Sequence, residues 1–315
     1  IKEAHEGEEE TLLDTSSEKI ENGEEIGQNA TEEEKDEAGY ESSEEGVISQ
    51  EKKESQVEEI KSTAPSLDEC DLSDLDLSDL NFLGISMQNS NLTKTILNRA
   101  NLSHSSLLKS TFQDAHLIDA DLSEAGLLDT DLSRANLEDA NLENSILNRA
   151  NLTEVHLERA NLRKCKLIGV NLSKSNLNEV TCGLADFSYA DLTGVKALGA
   201  DFNRVKLSGA NLTDTDFTDS RLSMAVFFEA KFIGTNLNRA QIKGSKLVKS
   251  EFCNACLTRA DLTGADLSDA KIEGTNLLRA KLGGALLRRT NITNSNLKET
   301  DLNIADLTNA QLNKV

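Results

Sequence analysis

The sequence predicts an all-β solenoid, a chain that turns a corner every five residues and stacks on itself. Two observations carry this. Leu72, Leu77, Phe82, Met87, Leu92, Leu97 and Leu102 open a file of large apolar residues that runs unbroken to Leu307 and Leu312. The residues two places earlier are nearly all small, as at Ala100, Ala120, Ala140, Ala160, Ala190 and Ala210. A helix repeats every 3.6 residues and a strand every two, so neither holds a strict period of five. A backbone bent at each repeat does. It aims one large and one small side chain inward and leaves the others outside.

The large file admits little else. Only Met87, Cys182 and Ala197 depart from Leu, Ile or Phe, and eight of the nine Phe residues lie in it. This explains how a chain of 315 residues with 3% aromatics and no Trp can still build a core. The position between the small and the large residue favours Asn or Asp, as in Ala150-Asn151-Leu152. Ten glycines, among them Gly84, Gly169, Gly209 and Gly284, fall in one column two places after the large residue. A tight turn with φ > 0 is expected there. Two short large-file residues that sit close together, Cys182 and Ala197, predict a bulge or kink beside the outward Leu184 and Leu198.

Ahead of the repeats, residues 1–66 read as a disordered acidic arm, and residues 67–315 as the solenoid. The net charge of -22 is uneven: residues 1–70 hold 24 acidic and 6 basic side chains, while residues 71–315 hold 31 and 27, a net of -4. Runs such as Glu32-Glu33-Glu34, set among Gly, Ser and Asn, cannot bury enough apolar surface to offset their ordering entropy. A short helix over residues 55–61 is expected to end before Pro65. The arm reads as a solvating spacer or as a segment that docks on a basic partner. Residues 66–80 are expected to cover the first coil, leaving the last one open to end-to-end homodimerisation or a partner cap. No apolar run approaches the ~20 residues of a membrane span, and the acidic balance opposes direct nucleic-acid binding.

With this five-residue pattern over residues 70–315, the chain resembles the pentapeptide repeat family. The resemblance implies a right-handed quadrilateral parallel β-helix, four repeats to a coil of 20 residues. The repeats then make about twelve coils and a rod roughly 58 Å long at ~4.8 Å per coil. Family members occur in bacteria, where some bind DNA gyrase or topoisomerase as DNA mimics, and in plastids, imported with a cleaved transit peptide. A first residue of Ile in place of Met suits a processed chain, so a chloroplast location is expected, with the bacterial cytoplasm as the alternative.

No catalytic, cofactor or metal site is expected. His116 and His156 share a column two coils apart, roughly 10 Å, with no third ligand in the same register. Cys253 and Cys256 form a lone C-x-x-C, whereas Cys70, Cys165 and Cys182 sit in the inward files. Outward charges alternate in sign along columns such as Lys94, Asp114, Arg134, Glu154 and Lys174, so most of this charge is structural. Arg239, Arg259 and Arg279 are the exception, a short basic strip. One side of the coil is apolar outside: Leu108, Leu128, Ile146, Ile168, Tyr189, Val226, Phe228, Val248 and Leu286. They read as a partner face, or as short side chains packed between turns.

A protein-interaction scaffold or assembly factor, holding a protein or multiprotein complex along one face, is the leading reading. The alternative is a DNA mimic that binds gyrase. Duplex DNA carries one charge per ~1.7 Å, about 34 over a rod of this length, and the repeat region offers -4. A Thr and Ser file at Thr153, Ser173, Thr193 and Thr213 raises ice binding, but Ile233 and Cys253 interrupt it.

Overall fold

Each repeat of five folds the same way. In the computed structural model, which describes residues 66–315, the residue before the large one pairs with its counterpart twenty residues on, as in Asn101 with Asp121 and Asp121 with Asn141. The pairing is parallel throughout. Between neighbouring coils the Leu102 amide donates to the Asp121 carbonyl (2.7 Å), Asp121 back to Ala100 (2.9 Å), and His104 to Ser123 (2.9 Å). Twenty residues at four repeats per coil make a four-sided solenoid, and residues 66–313 make about twelve coils.

The four sides are named in chain order by their large residues. The first side runs Leu67, Met87, Leu107, Leu127; the second Leu72, Leu92, Phe112; the third Leu77, Leu97, Leu117; the fourth Phe82, Leu102, Leu122. On the second side the ladder lengthens into β1 (Lys231–Ile233), β2 (Glu251–Cys253), β3 (Lys271–Glu273), β4 (Asn291–Thr293) and β5 (Gln311–Asn313). These form one parallel sheet in the order β1-β2-β3-β4-β5. Among the described residues there is no helix, and so none long and apolar enough to cross a membrane.

The corners follow from the same five residues. The Ser105 amide donates to the Leu102 carbonyl (3.2 Å), closing a turn whose third residue lies at positive φ. The ten column glycines take φ of 62 to 68°, as expected, but forty other residues share that conformation, mostly Asp, Asn, Glu, Lys and Arg. Such a φ is uncommon for any residue with a Cβ, and the ladder on both sides of each corner holds it. The Asn or Asp before the large residue has its own task. Its carboxamide or carboxylate oxygen accepts the amide two residues on, as in Ser103 to Asn101 Oδ1 (3.1 Å). Its amide group then donates to the coil before, Asn141 to Asp121 and Asn161 to Asn141, each at 3.0 Å.

The core is the two inward files. Every large-file residue from Met87 to Leu247 is essentially inaccessible, and burying each Leu or Phe stabilises by roughly 1.5–3 kcal/mol. Phe187, Phe202 and Phe217 pack with ring centroids 5.7 and 5.3 Å apart, and Phe232 stacks on Phe252 at 4.4 Å. In the last coils Phe252, Leu257, Leu262, Leu267, Ile272 and their successors to Ile292 line a narrow axial gap without polar groups, too apolar to hold water. Most buried hydroxyls in the small file donate to the large residue's carbonyl one coil back, as Thr95 to Leu72 (2.8 Å), Ser175 to Leu152 (2.6 Å) and Thr235 to Leu212 (2.7 Å), while Ser220 and Ser250 donate within their own coil and Ser105 has no partner.

Four expectations need correction. Ser66 pairs with Ser86, so residues 66–80 are the first coil itself and not a cover over it. No bulge marks Cys182 or Ala197: both are fully buried, and their amides donate to Asp201 (2.7 Å) and Asp216 (2.8 Å) like any other. Phe202 and Phe217, the next members of the same two columns, are fully buried and pack edge to face with ring centroids 5.3 Å apart. The column from Lys94 to Lys174 pairs only as Arg134 with Asp114 (2.7 Å) and Lys174 with Glu154 (3.7 Å). The basic strip is neutralised at both ends, Arg239 by Asp219 and Arg279 by Glu299, and among the described residues only Arg259 of the three has no carboxylate within ion-pair distance. The helix expected over residues 55–61 and the acidic arm lie outside the described residues.

Candidate interaction face

All nine apolar residues singled out from the sequence project from the first side or its turns. Ile146, Ile168, Tyr189 and Phe228 are exposed, Tyr189 by 72%. Leu108, Leu128, Val226, Val248 and Leu286 are half-buried against their neighbours. The structure brings them together unequally. Leu108, Leu128, Ile146 and Ile168 form one group, and Val226, Phe228 and Val248 a second. Between the groups Lys206 reaches Asp186 (3.3 Å), beside Ser188 and Ser208. Leu286 stands apart, with Asp266 and Asp306 in its column.

The second group is the more elaborate. The Lys249 ammonium sits 5.3 Å from the Phe228 ring centroid, a cation–π geometry, and reaches Glu229 at 3.4 Å. Tyr189 lies flat over Gly209: a Cβ added there would fall 2.7 Å from the ring. Met224 lies over Gly244 in the same way, at 2.8 Å. Burial raises the Asp186 carboxyl, but the Ser188 hydroxyl and amide and the Lys206 ammonium outweigh it and hold its pKa below the usual range.

Sequence reasoning missed Met224 and treated Leu184 only as a sign of a kink. Both are exposed at the corner joining the fourth side to the first. The available signal was the turn column itself: an apolar residue where nearly every other coil places Gly or a charged or amide side chain.

Burial pushes the Cys165 thiol up to about 11 and raises Cys182 as well. Cys253 and Cys256 are free thiols on adjoining sides. Among the described residues no three His, Cys, Asp or Glu side chains come close enough to share a metal ion.

The pentapeptide repeat family model matches in eight copies over residues 70–107, 110–149, 145–181, 185–223, 220–259, 257–278 and 280–315. The chain belongs to the pentapeptide repeat family. Among solved pentapeptide repeat proteins, HetL of Nostoc sp. strain PCC 7120, involved in heterocyst differentiation regulation, is 26% identical. That match covers 81% of this chain and 94% of HetL, with a TM-score of 0.28. A thylakoid-lumen pentapeptide repeat protein of Arabidopsis thaliana is 29% identical over 38% of this chain and 77% of its own, with a TM-score of 0.23. QnrB1, a plasmid-mediated fluoroquinolone resistance protein, is 16% identical over 79% and 92%, with a TM-score of 0.32. None of the curated proteins matches by sequence.

Pentapeptide repeats are in general a structural scaffold.

Proposed function

We propose that this pentapeptide repeat protein is a non-enzymatic interaction scaffold whose first side seats a partner protein or complex. One observation supports the reading above the others. Exposed and half-buried apolar side chains concentrate on the first side and its corners, and two of them, Tyr189 and Met224, lie over glycines that make room for them. Contiguous exposed apolar surface of this kind marks interaction sites. Affinity capture on the full chain from its native source tests it. The Phe228→Asp and Val248→Glu double variant is expected to lose the captured partner while its thermal unfolding stays within a few degrees of wild type. Unchanged capture by the double variant overturns the face assignment. The DNA-mimic alternative has no observation in its favour, because the repeat region carries 27 basic against 31 acidic residues.

A further inference from the structure

Fifty residues occupy the positive-φ turn column, and only four of them are large and apolar: Leu184, Tyr189, Met224 and Ile304. The position is unfavourable for them twice over. It strains a side chain with a Cβ, and it leaves Leu184 52% and Met224 60% exposed. Three of the four fall within residues 184–224, at the two corners that bound the first side. They frame the second apolar group around Phe228.

The same place is cationic. Between residues 163 and 246 the corner joining the fourth side to the first carries seven Lys or Arg side chains against one Asp. Three of the seven are paired, Lys164 with Glu143, Lys206 with Asp186 and Lys243 with Asp261. Arg163, Lys166, Arg204 and Lys246 have no carboxylate within ion-pair distance among the described residues. Around this tract the balance reverses, with Glu124 and Glu143 before it and Asp266 and Asp306 after it.

We propose that this corner and the adjoining first side bind an acidic, apolar-striped α-helix of a partner protein. Leu184, Tyr189, Met224 and Phe228 anchor its apolar stripe, and Arg204 with its neighbouring cations faces its carboxylates. The proposal rests on the scaffold reading above and names the chemistry of the partner. The spacing selects a helix. Leu184 and Met224 are two coils apart, ~9.6 Å, close to the ~10.5 Å between residues seven apart on a helix. Same-face residues of an extended strand repeat every ~6.7 Å and fall out of step. The tract spans four coil steps, ~19 Å, the length of about 13 helical residues. A nucleic-acid backbone fits poorly, since it has no use for apolar anchors set between the cations and would meet carboxylates at both ends.

The test uses the full chain as bait for a phage-displayed library of random 14-residue peptides, followed by anisotropy titration of the best synthetic binder. The expected winners are rich in Asp and Glu, carry apolar residues at helical spacing, and bind more weakly as salt rises. Leu184→Ser with Met224→Ser, and separately Arg204→Glu with Lys246→Glu, are expected to weaken the binder at least tenfold. Circular dichroism melts of both variants should match wild type, because all four side chains lie outside the core. No enrichment, winners that are basic or Pro-rich, or equal binding by the variants each overturn the proposal. So does stronger binding to vesicles containing phosphatidylserine than to neutral ones that survives saturating peptide. If the proposal fails while native capture still depends on Phe228 and Val248, the scaffold reading stands and only the partner's chemistry is wrong.

Discussion

At the residue scale each of the five positions answers to one physical demand, and the demands predict which changes are tolerated. Leu142 is inaccessible at the centre of its repeat, and Leu142→Ala leaves a cavity costing about 2–5 kcal/mol in chemical denaturation. Ala140, equally buried in the small file, has no spare volume, so Ala140→Leu is expected to destabilise by about 1–3 kcal/mol through overpacking. The thiols divide the same way. Cys165 and Cys182 are buried with raised pKa values, whereas Cys70, Cys253 and Cys256 are half-buried. Titration with a thiol reagent at pH 8 should reach only those three in the native protein, and all five in denaturant. Rapid native labelling of Cys182 would contradict the packing described. The inward role of these cysteines was legible from their places in the two files. The intact course of the chain at Cys182 was not, because the short file member was weighed without Phe202, twenty residues away in sequence and next to it in space.

At the element scale the turn is the working unit. Six times an Arg in the turn column forks onto an Asp one coil earlier, as in Arg99 on Asp79, Arg134 on Asp114 and Arg289 on Asp269. The Arg is always the later of the two. Each fork, chiefly through its hydrogen bonds, holds the Asp carboxyl below its usual pKa. The sign follows from which state takes up protons first. The unfolded Asp titrates near ~3.9, the folded one lower, so the contribution is complete above about pH 5 and fades as pH falls through 3.9 and below. Melting temperature should therefore drop on the acid side. Replacing Arg99, Arg134, Arg149 and Arg159 by Gln together should flatten that drop and lower stability at pH 7 by the same amount the acid limb loses, a modest sum because exposed pairs contribute little singly. An acid limb as steep in the quadruple variant as in wild type would remove the forks as its cause. The alternation of charge was visible in sequence. Which neighbour each cation chooses was not, because every charge has candidates both before and behind it. The Asn and Asp preference was visible too, but its reason appears only when Asn161 lies beside Asn141.

At the scale of the whole repeat region, contacts reach only from one coil to the next, so stability accumulates by nearest-neighbour terms. Removing a complete coil, residues 121–140, rejoins Ala120 to Asn141 in the same column, and is expected to give a folded rod that still binds through the side carrying Phe228. Circular dichroism and the peptide titration check both parts. The near-neutral charge of this region makes a different prediction: a supercoiling assay should show no gyrase inhibition at sub-stoichiometric protein, and clear inhibition there would restore the DNA-mimic reading. The five-residue period, the inward files and the glycine turns were all present in the sequence. The four-sided section was supplied by the family resemblance, because a period of five fixes where the chain bends but not how many bends close a circuit.

That circuit of twenty residues makes chain length a stricter constraint than residue identity. Deleting residues 211–215 spares every anchor and every cation of the proposed site, yet it carries Met224 and Phe228 a quarter turn away from Leu184 and Tyr189. Gains or losses counted in whole twenties do no such harm. They only slide the two apolar groups closer or further along a common line, in steps of ~4.8 Å. The rod is thus a ruler with fixed graduations. Duplication of a coil between Ile168 and Val226 can lengthen the spacing between the two apolar groups without changing which way either points.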